Sequence, residues 1–407
     1  MQSLTGRCCQ NSAAVRRVTD SPSREVIVVH RVEAAGRANW QTTVEEQGFI
    51  FHSLDVPYWY EDAHYTFSTH DIDLVEVATL ELHARCLDAV DFVIARRRYS
   101  DFGIPERAVP LIEASWKEGA PTLYGRFDLA FDGTRQPIML EYNADTPTSL
   151  LEAAVIQWGW LKDMHDSSDQ FNSIHEKLIA RWKAITPRLH GKNLYFACAD
   201  SVEDTMTTAY VRACAAQAGL GSKLLSMSDI VYDHRKKQFV DPDHVPIRNM
   251  FKLYPWEWMI HERFGAYLGA GASSTSWIEP AWKMILSNKA ILAVLWELFP
   301  KHPNLVASFL GSAHQLRNYA KKPLLSREGA NVTLVRAGHE TVSGLDRGYG
   351  EEGFVYQEMV SIKTFGGMTP VVGSWIVGDE AAGIGIREAV GAITDNLSRF
   401  VPHLIDG

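Results

Sequence analysis

Arg126, Asp128, Glu141 and Asn143 are polar residues set into two short apolar runs, Arg126–Phe131 and Ile138–Asn143, on either side of the turn cluster Asp132-Gly133-Thr134-Arg135-Gln136-Pro137. The pattern predicts a β-hairpin. Strand side chains alternate between faces, so Arg126 shares a face with Asp128, and Glu141 with Asn143. Pairing Phe131 with Ile138 across the turn sets Asp128 opposite Glu141 and Arg126 opposite Asn143. Two opposed carboxylates repel, and a cation between them or a proton on one relieves the repulsion. Asp, Glu and the Asn amide oxygen are hard donors of the kind magnesium takes, with substrate phosphates completing its shell. Arg126 on the same face is placed to meet phosphate or developing negative charge through its fork of N–H groups. The competing account is a solvated polar face with an ordinary Arg–Glu pair, and a one-residue slip in register would favour it.

A helix is expected directly after the hairpin. Thr146 reads as its N-cap and Pro147 as its first residue, Ser149 and Glu152 offer a second capping box, and an apolar run continues to Trp160. The positive helix end would then stand beside the acidic face, where an anionic group is held; a well-capped core helix explains the same residues without a ligand.

Further along, Lys192–Ala199, Val202–Gly219 and Leu224–Tyr232 read as strand, helix and strand, a small α/β unit. Glu203 and Asp204 stand at its strand-to-helix junction, where ligands of such units bind and where acids also complement a helix dipole. No GxxxxGK[ST] run exists, because Gly191-Lys192 is followed by Asn193. Lys289 opens a helical pattern, Lys322 precedes Pro323 and a strand-like run, and Arg327–Asn331 forms a short loop whose backbone N–H groups suit phosphates. Taken singly, each lysine reads as a solvated surface residue.

Together these stretches resemble a family. GRFDLAFDG…LEYNADTPTSLLEAA, FKLYPWEW (Phe251–Trp258), EPAWKMIL (Glu279–Leu286), SREGANV (Ser326–Val332) and GIGIRE (Gly383–Glu388) follow one another as in the glutathionylspermidine synthase family of ATP-grasp acid–amine ligases, over residues 32–405. The likeness is greatest to shorter bacterial members without an amidase domain. It implies ATP and magnesium as cofactors, with Asp128, Glu141 and Asn143 on the metal and Arg126 stabilising the transition state. It implies ATP contacts from Arg126, Lys289, Lys322, Arg327, Gly329, Arg387 and an adenine-side hinge of Gln357, Glu358, Met359 and Val360. Glu203 and Asp204 are its implied amine contacts, Thr146 is expected to touch substrate, and Asp395 and Asn396, close after Arg387, are expected to border the same pocket. Leu253 replaces a family Thr, and Thr146 a Ser, so the acid substrate need not be glutathione. A protein that binds nucleotide without ligating and a small-molecule kinase are the rival readings.

The elements that must position these residues follow from composition and pattern. The 407 residues, 46% hydrophobic and 22% charged, are globular and long enough for two or three domains. The expected class is α/β (α+β): an ATP-grasp-like ligase with a smaller α/β, substrate-side (pre-ATP-grasp) unit. Residues 1–31 are expected to be a disordered extension and 32–120 mostly helical, with helices at Trp40–Gln47 and Val75–Arg97. Residues 121–285 carry the hairpin and the α/β unit. Residues 286–407 carry the nucleotide-binding part, which the central hairpin completes and which has a second hairpin, Pro370–Val377 and Glu380–Ile386. The chain leaves no room for the amidase domain of the larger family members, so hydrolysis of the product is not expected. A net charge of −9 without a basic cluster argues against nucleic acid and membrane surfaces, leaving a small-molecule acid and amine as partners. Five cysteines without metal spacing, and no transmembrane or secretory run, point to reduced thiols and the cytoplasm.

Overall fold

The computed structural model describes residues 29–53, 57–191, 193–269, 274–395 and 398–406. Most of the expected N-terminal extension, with Cys8 and Cys9, lies outside the described residues, as does Asn396. The last residues of that extension are ordered into a strand, His30–Glu33, which pairs antiparallel with Ala63–Phe67. Ala63–Phe67 also pairs in parallel with His403–Ile405, joining the two ends of the described chain. It interrupts the expected helical region: its sequence alternates as Ala-His-Tyr-Thr-Phe, and all five residues are buried.

Three larger sheets build the body. The central antiparallel sheet has the order Arg399–Val401, Glu380–Val390, Met368–Val377, Tyr124–Ala130, Ile138–Asn143. The hairpin read from sequence is therefore inserted beside the C-terminal hairpin, with Asp128 paired to Gly373 and Arg126 to Trp375, 245 and 249 residues away along the chain. A second antiparallel sheet runs Ser308–Leu310, Phe354–Glu358, Tyr319–Pro323, Thr333–Arg336, His339–Ser343. The strand carrying Lys322 thus precedes and ends at Pro323, and the run after it is loop. A parallel sheet, Ser276–Ile278, Asn249–Leu253, Leu194–Cys198, Ser222–Ser226, forms the α/β unit with the helix Val202–Gln217.

Helix Thr69–Arg96 closes one face of the central sheet. Ser68 and Asp71 form a reciprocal capping box at its start, and Arg97 ends it in the left-handed region at φ 53°. Its buried stripe, including Val75, Leu82, Cys86, Val90 and Val93, packs with Phe127 and Leu129 of the hairpin. A hydroxyl pair, Thr79 to Ser374 at 2.6 Å, sits in the same contact. Alternation then turns Arg126 and Asp128 to the opposite face. The α/β unit is tied to the hairpin by buried charges. Glu279 accepts the backbone N–H groups of Leu123 and Tyr124, and Lys283 joins Glu279 and the Tyr124 carbonyl. Asp145 and Lys252 pair at 2.5 Å, both almost fully buried, and Asp145 also accepts from Trp256 N–H.

Candidate active site

The hairpin register is the first determinant of the site. Arg126 faces Asn143 and Asp128 faces Glu141, but Ala130, not Phe131, pairs with Ile138. The difference is absorbed by a β-bulge between the two parts of the ladder, which leaves Leu140 as the extra residue. Its carbonyl accepts from Lys322 Nζ at 2.9 Å. Lys322 also donates to Gln357 Oε1 at 2.7 Å, while Gln357 Nε2 donates to the Met139 carbonyl at 2.9 Å. The bulge is thus where the second sheet is fastened to the hairpin.

Opposed carboxylates are accommodated here by organic cations. Arg126 forks onto Asp128 at 2.7 and 3.2 Å, and Arg387 reaches the same carboxylate at 3.0 Å across the intervening strand. Glycine at 373 makes that crossing open, since a Cβ there would lie 3.0 Å from Arg126 Cδ. Glu141 pairs with Lys289 at 3.1 Å, and Lys289 is further held by the Ser326 carbonyl. Burial pushes the Glu141 carboxyl up, but the charges of Lys289 and Lys322 outweigh it and hold the group far below the usual carboxylate range. Neither lysine is a solvated surface residue, as each is only 9% exposed. Four cations thus crowd two carboxylates, an excess that suits a polyanion.

These groups line a cavity of about 890 Å³ enclosed by the central sheet, the second sheet and the strand ends of the α/β unit. One end is apolar: Ala320, Val332 and Leu334 form a small cluster with Met359 and Ile393 against it. Another part of the wall is acidic, with Glu203 and Asp204 at the start of a helix capped by Ser201. Burial raises both carboxyls, and a hydrogen bond from Thr148 opposes the rise at Glu203. Of the residues singled out in the sequence, Arg126, Asp128, Glu141, Asn143, Thr146, Glu203, Asp204, Lys289, Lys322, Arg327, Gly329, Gln357, Glu358, Met359, Val360 and Arg387 all border this cavity. Asp395 does not border it: its backbone N–H and carboxylate turn to Ser398, and Ile393 and Thr394 form the wall instead.

Local structure departs from expectation in three places. The helix after the hairpin begins at Leu150, so Thr146 and Pro147 precede it rather than cap it. Ser149 sits in the left-handed region at φ 64°, the Thr148 carbonyl accepts from Arg126 at 2.6 Å, and Thr146 Oγ1 accepts from Arg327 at 2.9 Å. Ser149 and Glu152 form no capping box; both bond the hydroxyl of Tyr58. Arg327 spans Thr146 and Glu257 over the Trp258 ring, so it lies on the substrate-side wall. Trp258 is exposed to the cavity, whereas Trp256 is core. Gly329 has φ +66°, and a Cβ would come within 2.7 Å of the Thr394 carbonyl, which explains glycine in this loop.

Sequence reasoning missed Tyr58, Glu152, Asp145 and Lys252. A charged Glu152 inside the apolar run Leu150–Ile156 was the one available signal for that residue. Among the described residues no three His, Cys, Asp or Glu cluster as a self-sufficient metal site. Asp128, Glu141 and Asn143 nonetheless supply two carboxylates and an amide on one face beside the cationic group, a donor set that fits magnesium shared with phosphates.

The glutathionylspermidine synthase preATP-grasp family profile matches residues 31–406. A Haemophilus influenzae protein described as "Putative acid--amine ligase" is 38% identical over 405 residues, 96% of this chain and 99% of that protein. The trypanothione synthetase of Crithidia fasciculata is 32% identical over 79% of this chain. The bifunctional glutathionylspermidine synthetase/amidase of Escherichia coli is 25% identical over 81%. This chain spans about half the length of those two longer relatives, 53% and 57%. A glutathione synthetase-like effector from Globodera pallida shares the fold, with a TM-score of 0.54 and 8% identity over 84% of this chain and 89% of that one. Fold and relatives together define the class, that of ATP-dependent ligases joining an acid to an amine. The chain belongs to the glutathionylspermidine synthase family.

Proposed function

We propose that this protein joins the carboxylate of a small acid, such as a peptide, to an amine through an acyl phosphate, using ATP and magnesium and releasing ADP and phosphate. The observation that carries the reading is one cavity lined both by a cationic group, Arg126, Lys289, Lys322 and Arg387, and by an acidic group, Glu203 and Asp204, which adjoins it at Thr148. Phosphates are attracted to the first and an ammonium group to the second.

A carboxylate is a poor electrophile, and phosphorylation by ATP gives it a leaving group. Lys289 and Lys322 hold the phosphates while the apolar slot by Met359 takes the base. Asp128, Glu141 and Asn143 would hold magnesium, which when bound neutralises phosphate charge. Arg126 and Arg387 sit where charge gathers on the transferred phosphoryl group and on the oxyanion formed as the amine attacks. Glu203 and Asp204 orient that amine. Both are raised by burial, which suits a wall that accepts a proton from an ammonium before attack.

An ADP-release screen crossing carboxylate peptides with polyamines and amino acids tests the reading, with product mass as its second arm. A ligase yields ADP and a conjugate lighter than its parts by one water. A phosphorylated substrate would point to a kinase, and nucleotide binding with no turnover to a sensor.

A further inference from the structure

Glu152 is a buried charge that the reaction above leaves unused. It opens a π-helical turn, Glu152–Ile156, a conformation that recurs at functional sites, and its side chain is completely buried. Oε1 accepts from the Tyr58 hydroxyl at 2.7 Å, and the same hydroxyl meets Ser149 Oγ at 2.9 Å. Beyond the Tyr58 hydroxyl and the backbone N–H of Glu152 itself, the carboxyl has no hydrogen-bond partner, and Oε2 makes no hydrogen bond of good geometry. Buried carboxyl oxygens are rarely left this way, and an unpaired one marks a group awaiting something.

The neighbours say what. Tyr58 opens the aromatic run Tyr58-Trp59-Tyr60 and also feels the charge of Glu203 on the acidic wall. Thr148, four residues before Glu152, hydrogen-bonds Glu203, and its carbonyl accepts from Arg126. The charged groups acting on Glu152 are thus Glu203 from the helix Val202–Gln217 and Arg126 from the hairpin, while Arg387 acts on Glu203. Burial first, then the charge of Glu203, pushes the Glu152 carboxyl up to about 8. At neutral pH Glu152 keeps its proton.

We propose that Glu152 is a positioning residue of the amine subsite: it gives up its proton to solvent when a cationic amine settles against Glu203, and its charge, fixed by Tyr58 behind the cavity wall, strengthens the hold of Glu203 on the substrate. Only the O–H bond of Glu152 breaks. Its electron pair stays on the carboxylate, the proton goes to water, and no bond of the amine changes. A cation beside the pair favours the ionised form, which is the physical cause of the exchange. Binding that releases a proton strengthens as pH rises, up to the pH at which Glu152 is already ionised in the unliganded protein. The inference rests on the acidic wall being the amine subsite.

Calorimetry of spermidine and 1,4-diaminobutane binding to the full chain, in buffers of different ionisation enthalpy, tests it. The wild type is expected to release roughly half to one proton per amine at pH 7 and almost none at pH 9. E152Q is expected to release none at either pH and to bind about tenfold more weakly at pH 7. Y58F keeps the carboxyl but loses a donor that favours its ionised form, so its release should persist to higher pH. Wild-type binding without release, or release that survives in E152Q, overturns the inference alone. Failure of the wild type to bind either amine overturns the amine subsite and the inference with it.

Discussion

Asp128 and Glu141 stand opposite each other on adjacent strands, and each carries its own cations: Arg126 and Arg387 on Asp128, Lys289 on Glu141. The pair is stable without a metal between its members, so a hairpin with opposed acids does not by itself require one. What it does require is a source of positive charge. Here that source exceeds the negative charge and turns the face into a seat for phosphates.

Arg126→Ala is expected to lower turnover about 100- to 1,000-fold, the usual effect of removing one oxyanion donor, while nucleotide still binds through Lys289 and Lys322. ADP release and a nucleotide titration on the same preparation check it. Turnover at the wild-type rate would take Arg126 out of the mechanism.

Asp128→Ala is expected to raise the magnesium concentration for half-maximal ADP release by about ten- to a hundredfold. A metal titration at saturating ATP reads this directly. An unchanged requirement would move the metal away from the hairpin.

Nucleotide affinity should fall as pH rises above about 8, because burial lowers the Lys322 ammonium to about that value, with Glu141 opposing the shift and Lys289 adding to it. Lys322→Arg, which stays charged, should flatten the dependence. Stability runs the other way. Between about 8 and the ordinary lysine value of 10.5 the unfolded chain binds more protons than the folded one, so this group's contribution to stability rises with pH there. Nucleotide titrations from pH 7 to 9.5 on both proteins separate the two effects.

Lys252→Met should destabilise the fold by ~3–5 kcal/mol, since it strands the buried Asp145 charge. Adding Asp145→Asn removes that charge and keeps an acceptor for Trp256 N–H, so the double variant should regain at least half of the loss. Urea denaturation of the two variants decides; equal losses would show that the ion pair is not what holds the α/β unit to the hairpin.

Much of the central hairpin was legible from alternation alone, because a strand with one face in the core and the other in a cavity must repeat with period two. The turn was misplaced by one residue, and the facing of Asp128 and Glu141 survived only because Leu140 bulges. The strand Ala63–Phe67 carries the same period-two alternation, Ala-His-Tyr-Thr-Phe, over only five residues, and the helical reading of the region passed over it. The helix start was displaced because Thr146 and Thr148 serve Arg327 and Arg126 instead of a helix end.

The sequence by itself determined which side chains could do chemistry, since a string such as LEYNADTPTSLLEAA carries its residue types and local periodicity wherever it is placed. Only the tertiary structure decided how they are charged and held. Lys322 reaches Leu140 from 182 residues away and Arg387 reaches Asp128 from 259. Tyr58 bonds Glu152 from 94 residues away. Local pattern places no constraint on such contacts, which arise only when separate sheets close around one cavity, where burial sets the protonation of Glu152 and Lys322 and the charges of Lys289 and Lys322 set that of Glu141.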